Sequence, residues 1–162
     1  MSQTQVLATV RACLADSQVG LAARVGGLAA SASVGAAKIR TDFRFVAWKL
    51  AGTMQPSTSP NVMLRPGAWR TGIKQANHRD GLALIEIGAE WFDTDVDVLQ
   101  DNITIAATAL AQVLDGLRAY SDAHGGPVID VVDPIEFTFG EFPGPASSGF
   151  TASIQIEERS AQ

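Results

Sequence analysis

The 162-residue sequence predicts an α+β fold of two layers: one mixed or antiparallel β-sheet, a long helix packed across it, and an N-terminal helix. Two observations favour this class. Apolar residues recur every three or four positions from Thr94 to about Tyr120, and apolar and polar residues alternate in several short stretches of the second half. Such strands and such a helix bury their apolar sides most simply against each other. The length fits a single domain over residues 1–162.

The first 32 residues predict one helix and one segment that stays open. Over residues 4–15, apolar side chains fall at helical spacing: Val6, Leu7, Val10 and Leu14. Asp16 and Ser17 can cap a second helix over residues 18–32. Three glycines weaken that second helix, so a loop-rich connector is the alternative.

The next region predicts a strand followed by a long surface loop. Alternation around Phe43 and Phe45 favours a strand within residues 39–50. Residues 52–74 contain three prolines and a Ser/Thr cluster, with one strand-like island at 61–65. A stretch of this length and composition is typical of a functional or flexible surface loop.

The second half predicts regular elements. Residues 81–91 form a half-buried strand, with Glu86 and Glu90 on its solvated face. The helix that follows begins near Thr94, whose spacing to Asp97 resembles a capping box. Its apolar stripe is unbroken: Leu99, Ile103, Ala106, Leu110, Val113, Leu117 and Tyr120.

Three short strands are then expected, at residues 128–132, 135–139 and 150–157. Asp133 and Pro134 predict a turn between the first two strands. The last two strands are expected to pair as an antiparallel hairpin around a loop over residues 140–149. Residues 158–162 predict a flexible tail.

Charge is divided unevenly along the chain. The net charge is −5. Residues 1–81 hold ten basic and three acidic side chains, whereas residues 82–162 hold two basic and fourteen acidic ones. The basic residues concentrate between Lys38 and Arg79, among aromatic residues. This pattern permits head-to-tail association of copies, a nucleic-acid-binding segment, or simply an unevenly charged solvated surface.

No pattern typical of an active site, a metal site or a cofactor site is found, so we expect no enzyme, metal or cofactor. Cys13 lies among apolar neighbours and reads as a buried thiol. The acidic run from Asp93 to Asp101 does not match a calcium loop and fits a helix N-terminus better. His78 and His124 are not paired at metal-ligand spacing. A membrane span is not expected either.

Two stretches of the second half combine a strand, a long helix and a closing hairpin: GLALIEIGAEWFDTDVDVLQDNITIAATALAQVLDGLRAY and PIEFTFGEFPGPASSGFTASIQIEE. Through them, residues 81–158 resemble the tail terminator (tail completion) proteins of long-tailed bacteriophages. The N-terminal ATVRACLA is similar to the opening helix of that group.

The resemblance implies a structural role in the virion, after assembly in the host cytoplasm. Such proteins form a homo-oligomeric ring, expected to be a hexamer, at the head-proximal end of the tail. The ring stops tail-tube polymerisation and faces the neck. The implied partners are therefore other copies, the tail tube protein and a neck or connector protein, with DNA only passing through the lumen.

The resemblance also implies two contact regions. The long basic segment would reach an adjacent subunit or ring through Arg65, Arg70, Lys74 and Arg79. The loop after residue 142 would contact a neighbouring protein through Pro143, Pro145 and Phe150. The alternatives are another neck, head-closure or baseplate component and, less favoured, a nucleic-acid-binding module or an enzyme.

Overall fold

The computed structural model describes residues 2–32, 38–48, 58–74, 78–93, 95–142 and 147–159. It confirms the α+β class, with helices packed on a mixed sheet. The elements in chain order are α1 (Gln3–Ala15), α2 (Leu21–Ser31), β1 (Arg44–Ala47), β2 (Asn61–Lys74), β3 (His78–Trp91), α3 (Val96–Asp115), α4 (Leu117–Ala123), β4 (Val128–Phe142) and β5 (Ser147–Arg159).

The described strands form one sheet in the order β1-β2-β3-β5-β4. β1 runs parallel to β2, and every other neighbouring pair is antiparallel. β3 and β5 occupy the centre, and β1 and β4 form the two edges. The predicted hairpin is confirmed, because β4 and β5 pair from Val128 and Arg159 up to Phe142 and Ser147.

One face of the sheet is covered by the helices and forms the core. Its central strands contribute residues that are at most 3% exposed: Ala83, Ile85, Ile87, Ala89, Trp91, Phe150, Ala152, Ile154 and Ile156. α1 and α3 supply facing residues such as Val10, Leu14 and Leu110. Burial of this apolar area is the main favourable contribution to the fold.

The helices follow the predicted patterns with local differences. α1 begins at a capping box formed by Ser2 and Gln5. The segment for which both a helix and a loop were predicted is helical over residues 21–31, which form α2. The N-cap of α2 is Gly20. The predicted cap at Asp16 is wrong: its Oδ1 accepts the N–H groups of Gln18 and Val19 and closes the preceding turn instead.

The long helix is capped one residue later than the capping-box pattern indicated. Asp95 Oδ1 accepts the N–H groups of Asp97 and Val98, and Thr94 lies outside the described residues. The helix is also divided at Gly116, after which α4 continues to Ala123. The predicted stripe nevertheless holds across the division, since Val113 and Leu117 are both buried.

The predicted surface loop over residues 52–74 is wrong from Asn61 onward, where β2 runs for 14 residues. Pro66 is accommodated because the ladder shifts register between Pro66 and Trp69. Residues 52–57 lie outside the described part.

The turn at residues 133–134 is also wrong. Asp133 and Pro134 lie in an irregularity within one continuous strand, β4, which replaces two predicted strands. The expected tail begins later than predicted, because β5 continues to Arg159; residues 160–162 are not described.

β5 approaches β3 so closely at one point that only glycine fits. A Cβ on Gly149 would overlap the carbonyl oxygen of Ala89, and backbone cannot yield as a side-chain tip can. Gly140, its partner across the β4–β5 ladder, has open space at the same position.

Candidate interface surfaces

The β2–β3 hairpin extends beyond the rest of the sheet as a two-stranded arm. Among the residues that the structure describes, β1 pairs with β2 from Asn61 to Leu64, and β5 pairs with β3 from Leu82 to Trp91. Residues 70–74 and 78–82 pair with each other, and we call them the β-arm. At about 3.4 Å per residue, the four steps from Leu82 to His78 span about 14 Å; because β5 continues past Glu157 to Arg159, only about the outer 7 Å of this length extends past the sheet.

Three of the predicted interface residues lie together on this β-arm. Arg70 pairs with Leu82, Ile73 with Arg79, and Lys74 with His78. These basic residues, which the sequence assigned to a loop, therefore lie on one hairpin, with Arg70 and Lys74 at positions on one side of the ribbon and Arg79 at a position on the other. Their common element is a regular ribbon.

Arg65 has a different environment, at the base of the hairpin. Its Nε donates to Glu86 on the neighbouring strand. Its guanidinium also lies 4.0 Å from the centre of the Trp48 ring, a favourable cation–π distance. Both interactions are internal, so the positive charge of Arg65 is already engaged within the chain.

Trp48 reaches across β2 to β3 because Gly88 leaves it room. A Cβ on Gly88 would lie 3.1 Å from two ring carbons of Trp48. The indole therefore covers the β1 side of the sheet face that lies opposite the helices.

Beneath this end of the sheet lies a buried polar pair. The Asn61 side-chain amide donates to Glu90 Oε1 at 3.0 Å, and both residues are at most 3% exposed. The expected solvated position of Glu90 is therefore wrong, whereas Glu86 is partly exposed. Alternation places Glu90 on the correct face, but cannot reveal that neighbouring residues cover that end of the face.

The remainder of this second face, on β5 and β4, stays open. We call this surface the open face and define it by residues whose side chains are exposed or half-buried: Asp130, Val132, Glu136, Thr138, Thr151, Ser153, Gln155, Glu157 and Arg159. Arg159 pairs with Glu157 at 2.7 Å and lies 3.7 Å from Asp130. The Arg159 guanidinium therefore lies near two carboxylates. Glu136 is a third acidic residue of the open face.

The open face was not among the predicted interface residues. The signal for it was present, since alternation in the strands separates these polar side chains from the apolar ones. What the sequence does not contain is the strand order that makes β4 and β5 neighbours and places the described helices on the other side of the sheet.

Phe150, a predicted contact residue, is 1% exposed and lies in the core of the chain. It packs against Trp91 and Phe137, with ring centres 6.0 and 5.5 Å away. Its partner across the ladder, Phe139, is 58% exposed. The difference follows from position: Phe150 lies on a central strand and Phe139 on an edge strand. Pro143 and Pro145 lie outside the described residues.

A cavity of about 400 Å³ lies between the end of α1 and α4. Cys13, Asp16, Arg24, Tyr120 and His124 line it. Tyr120 and His124 stack with ring centres 4.0 Å apart, and His124 Nδ1 lies 2.8 Å from the Tyr120 carbonyl oxygen. This places His124 at a helix end, as its sequence position indicated.

The electrostatics of this cavity disfavour nucleophilic chemistry. Burial, and then the charge of Asp16, raise the pKa of the Cys13 thiol to about 11, whereas a reactive thiol requires a lowered pKa. Partial burial is likewise the main cause of a raised pKa at Tyr120. The hydrogen bonds from Val19 and Gln18 lower the pKa of Asp16.

The acidic run of residues 93–101 is organised as a helix start. Asp93 accepts the N–H of Asp95, which in turn caps α3. In the described parts of the chain, no group of three or more His, Cys, Asp or Glu side chains is arranged to hold a metal ion.

None of the described helices is long and apolar enough to cross a membrane. No protein-family model matches the chain, and no curated protein matches it.

Proposed function

We propose that the protein is a structural virion component, a tail terminator that forms a ring at the head-proximal end of a phage tail. The ring would end tube assembly and join the tail to the neck. The proposal rests on the resemblance of residues 81–158 to that family and on the surfaces described above. It assigns no catalytic step to the chain.

The observation that carries the proposal is the presence of unlike surfaces on one subunit. Basic residues occupy register positions of the β-arm, whereas Asp130, Glu136 and Glu157 lie on the open face of β4 and β5, which the arm adjoins through the Leu82–Glu157 pair. Unlike surfaces favour heterologous contacts, in which one surface of each copy binds the other surface of its neighbour. Such contacts close into a ring when the rotation between copies permits.

The first test is the oligomeric state. We expect purified protein to show a concentration-dependent species of about six subunits by light scattering coupled to size exclusion. Negative-stain images should show rings with a central opening. A strictly monomeric protein at all concentrations, both free and after addition of tail tubes, would overturn the proposal.

The second test addresses the place in the virion. Tail tubes assembled without this protein should have unregulated lengths, and adding it back should restore a single length. An antibody label should mark the head-proximal end of the tail. A label at the baseplate would instead support the alternative structural role, and normal tubes without the protein would rule out termination.

A further inference from the structure

We propose that the cavity between the end of α1 and α4 binds a small organic ammonium ion, that is, a protonated amine with an apolar body. In this site the Asp16 carboxylate accepts a hydrogen bond from the ammonium group, and the stacked rings of Tyr120 and His124 lie beside the body. The inference goes beyond the proposed ring, because it assigns a ligand to a cavity of the single subunit and requires no second copy.

The cavity has the size and the lining of a small-molecule site. Its volume of about 400 Å³ lies at the small end of the range for such sites, which are mostly apolar with a few polar groups. Each lining residue lies within the described ranges 2–32 and 95–142. Much of the wall consists of apolar or small residues: Cys13, Val19, Val113, Gly116, Ala119 and Ala123. Val19 is 41% exposed, so apolar surface of the cavity remains in contact with water and is available to the body of a ligand.

Asp16 contributes a carboxylate that is already held in place. Its Oδ1 accepts the N–H groups of Gln18 at 2.8 Å and Val19 at 3.0 Å, which fixes the side chain on the turn that follows α1. Because both hydrogen bonds use Oδ1, the second oxygen, Oδ2, keeps its capacity to accept. A group that is held before binding loses little conformational entropy when the ligand arrives, and this favours affinity.

The negative charge of Asp16 acts on the other titratable side chains of the cavity. After burial, it is a further cause of the raised pKa of the Cys13 thiol and of the Tyr120 hydroxyl. Both groups are therefore neutral at neutral pH and do not offset the charge of the carboxylate. This charge attracts a protonated amine, and the face of an aromatic ring such as that of Tyr120 is a further favourable neighbour for a cation.

His124 supplies a second hydrogen-bond acceptor. Its Nδ1 lies 2.8 Å from the carbonyl oxygen of Tyr120. A carbonyl oxygen only accepts, so Nδ1 carries the proton of this hydrogen bond, and Nε2 of the neutral ring is then an acceptor. An ammonium group only donates, and it therefore matches the acceptors of Asp16 and His124 better than a carboxylate ligand does.

Arg24 also lines the cavity and has the opposite charge. Its side chain is exposed, so the surrounding water weakens its interaction with a ligand, whereas the charge that acts on Cys13 and Tyr120 is that of Asp16. We therefore place the charged group of the ligand at Asp16. An organic carboxylate held by Arg24 is the competing ligand class, and ligands of opposite charge distinguish the two.

The test compares ligands that share a phenyl ring and differ in charge: phenethylamine, phenethyl alcohol and phenylacetate. Isothermal titration calorimetry of the full chain at neutral pH measures each affinity, and methyl NMR of Val19 and Val113 locates the binding. The variant is Asp16→Asn, whose amide oxygen can still accept the N–H groups of the turn. The matched control is Asp122→Asn, which removes a carboxylate from an exposed position of α4 outside the cavity.

We expect phenethylamine to bind saturably and to shift the methyl signals of Val19 and Val113. Asp16→Asn should weaken this binding about tenfold or more, because a hydrogen bond to a charged group is lost, whereas Asp122→Asn should stay within about twofold of the parent. Phenethyl alcohol should bind the parent more weakly than phenethylamine and should respond little to Asp16→Asn. Phenylacetate should bind most weakly.

Each other outcome is decisive. Absence of phenethylamine binding at millimolar concentrations, or equal affinity of the parent and Asp16→Asn for it, would overturn the proposal. Stronger binding of phenylacetate would also overturn it and would identify Arg24 as the anchor.

Ala119→Leu gives an independent reading if circular dichroism shows that Asp16→Asn is unfolded. This variant narrows the cavity and leaves every charge unchanged. Loss of phenethylamine binding would support the site, and undiminished binding would overturn it. None of these outcomes depends on ring formation, so the proposed function is tested separately.

Discussion

Asn102 connects the helix layer to the segment that leads into β1. It is 3% exposed, its Oδ1 accepts the Arg40 N–H at 2.8 Å, and its Nδ2 donates to the Lys38 and Val98 carbonyls at 2.8 Å each. A single side chain therefore satisfies three backbone groups. Sequence reasoning missed it, because an asparagine within a helical pattern gives no sign of partners more than 60 residues away.

Asn102→Ala should lower the free energy of unfolding by about 2–3 kcal/mol, since buried backbone groups lose their partners. Asn102→Asp is the informative companion, because it keeps the acceptor for Arg40 but loses both donated hydrogen bonds. Thr108→Ala, on the exposed side of the same helix, is the control. Urea denaturation measures all three, and equal stability of Asn102→Ala and the control would refute the assignment.

Cys13 should be nearly inert in the folded protein. With a pKa of about 11, only about one thiol in a thousand is ionised at pH 8, and the thiolate is the reactive form. Reaction with a disulfide reagent should therefore be slow in buffer and rapid in denaturant. Fast, stoichiometric labelling of native protein at pH 8 would show that the thiol is neither buried nor raised in pKa.

Asp16 should make a contribution to stability that disappears in acid. Its pKa is below the usual 3.8 in the folded state because two backbone N–H groups favour the carboxylate. The contribution is therefore complete above pH 3.8 and is lost as the pH falls through the lower folded value. Asp16→Asn should remove this part of the pH dependence in thermal melts between pH 5 and 2; an unchanged pH profile would contradict the role.

At the scale of elements, the close pairing of β5 with β3 depends on Gly149. Gly149→Ala should cost about 3 kcal/mol or more, since a Cβ would meet the Ala89 carbonyl and backbone must move. Its ladder partner offers a matched control: Gly140→Ala has open space and should be nearly neutral. Comparable thermal stability of the two variants would mean that the strands are not held this closely.

The elements that the sequence predicts well are those in which one periodicity continues without interruption. α3 keeps its stripe, and β3 alternates from Ala83 to Trp91, so both could be recognised from spacing alone. β2 and β4 could not be recognised in full from spacing, because Pro66 and Pro134 normally indicate the end of a strand. Pro66 borders a register shift and Pro134 lies within one, and such irregularities depend on the neighbouring strand.

At the scale of the whole molecule, the uneven charge predicts salt-sensitive assembly. Raising the ionic strength from 0.1 M to 1 M shortens the Debye length from about 10 Å to about 3 Å. Self-association measured by mass photometry should weaken over this range. Assembly that strengthens with salt would indicate an apolar contact instead, for which exposed Phe139 is the natural centre.

The sequence locates the charged segment but not its form. Arg70, Lys74 and Arg79 were assigned to an interface from their charge, yet their common ribbon depends on pairing across residues 75–77 and on where β5 stops. The open face depends on the order of five strands. Its members are separated by up to 29 positions, from Asp130 to Arg159, and only the fold makes them neighbours.

The irregularity in β4 also matters for the chain before it assembles. β4 is an edge strand, and a long unguarded edge invites unlimited strand addition between copies. Pro134 has no N–H to offer an incoming strand, and the register shift between Val132 and Glu136 interrupts the edge at its middle. We therefore expect subunits not to join edge to edge into fibres through β4.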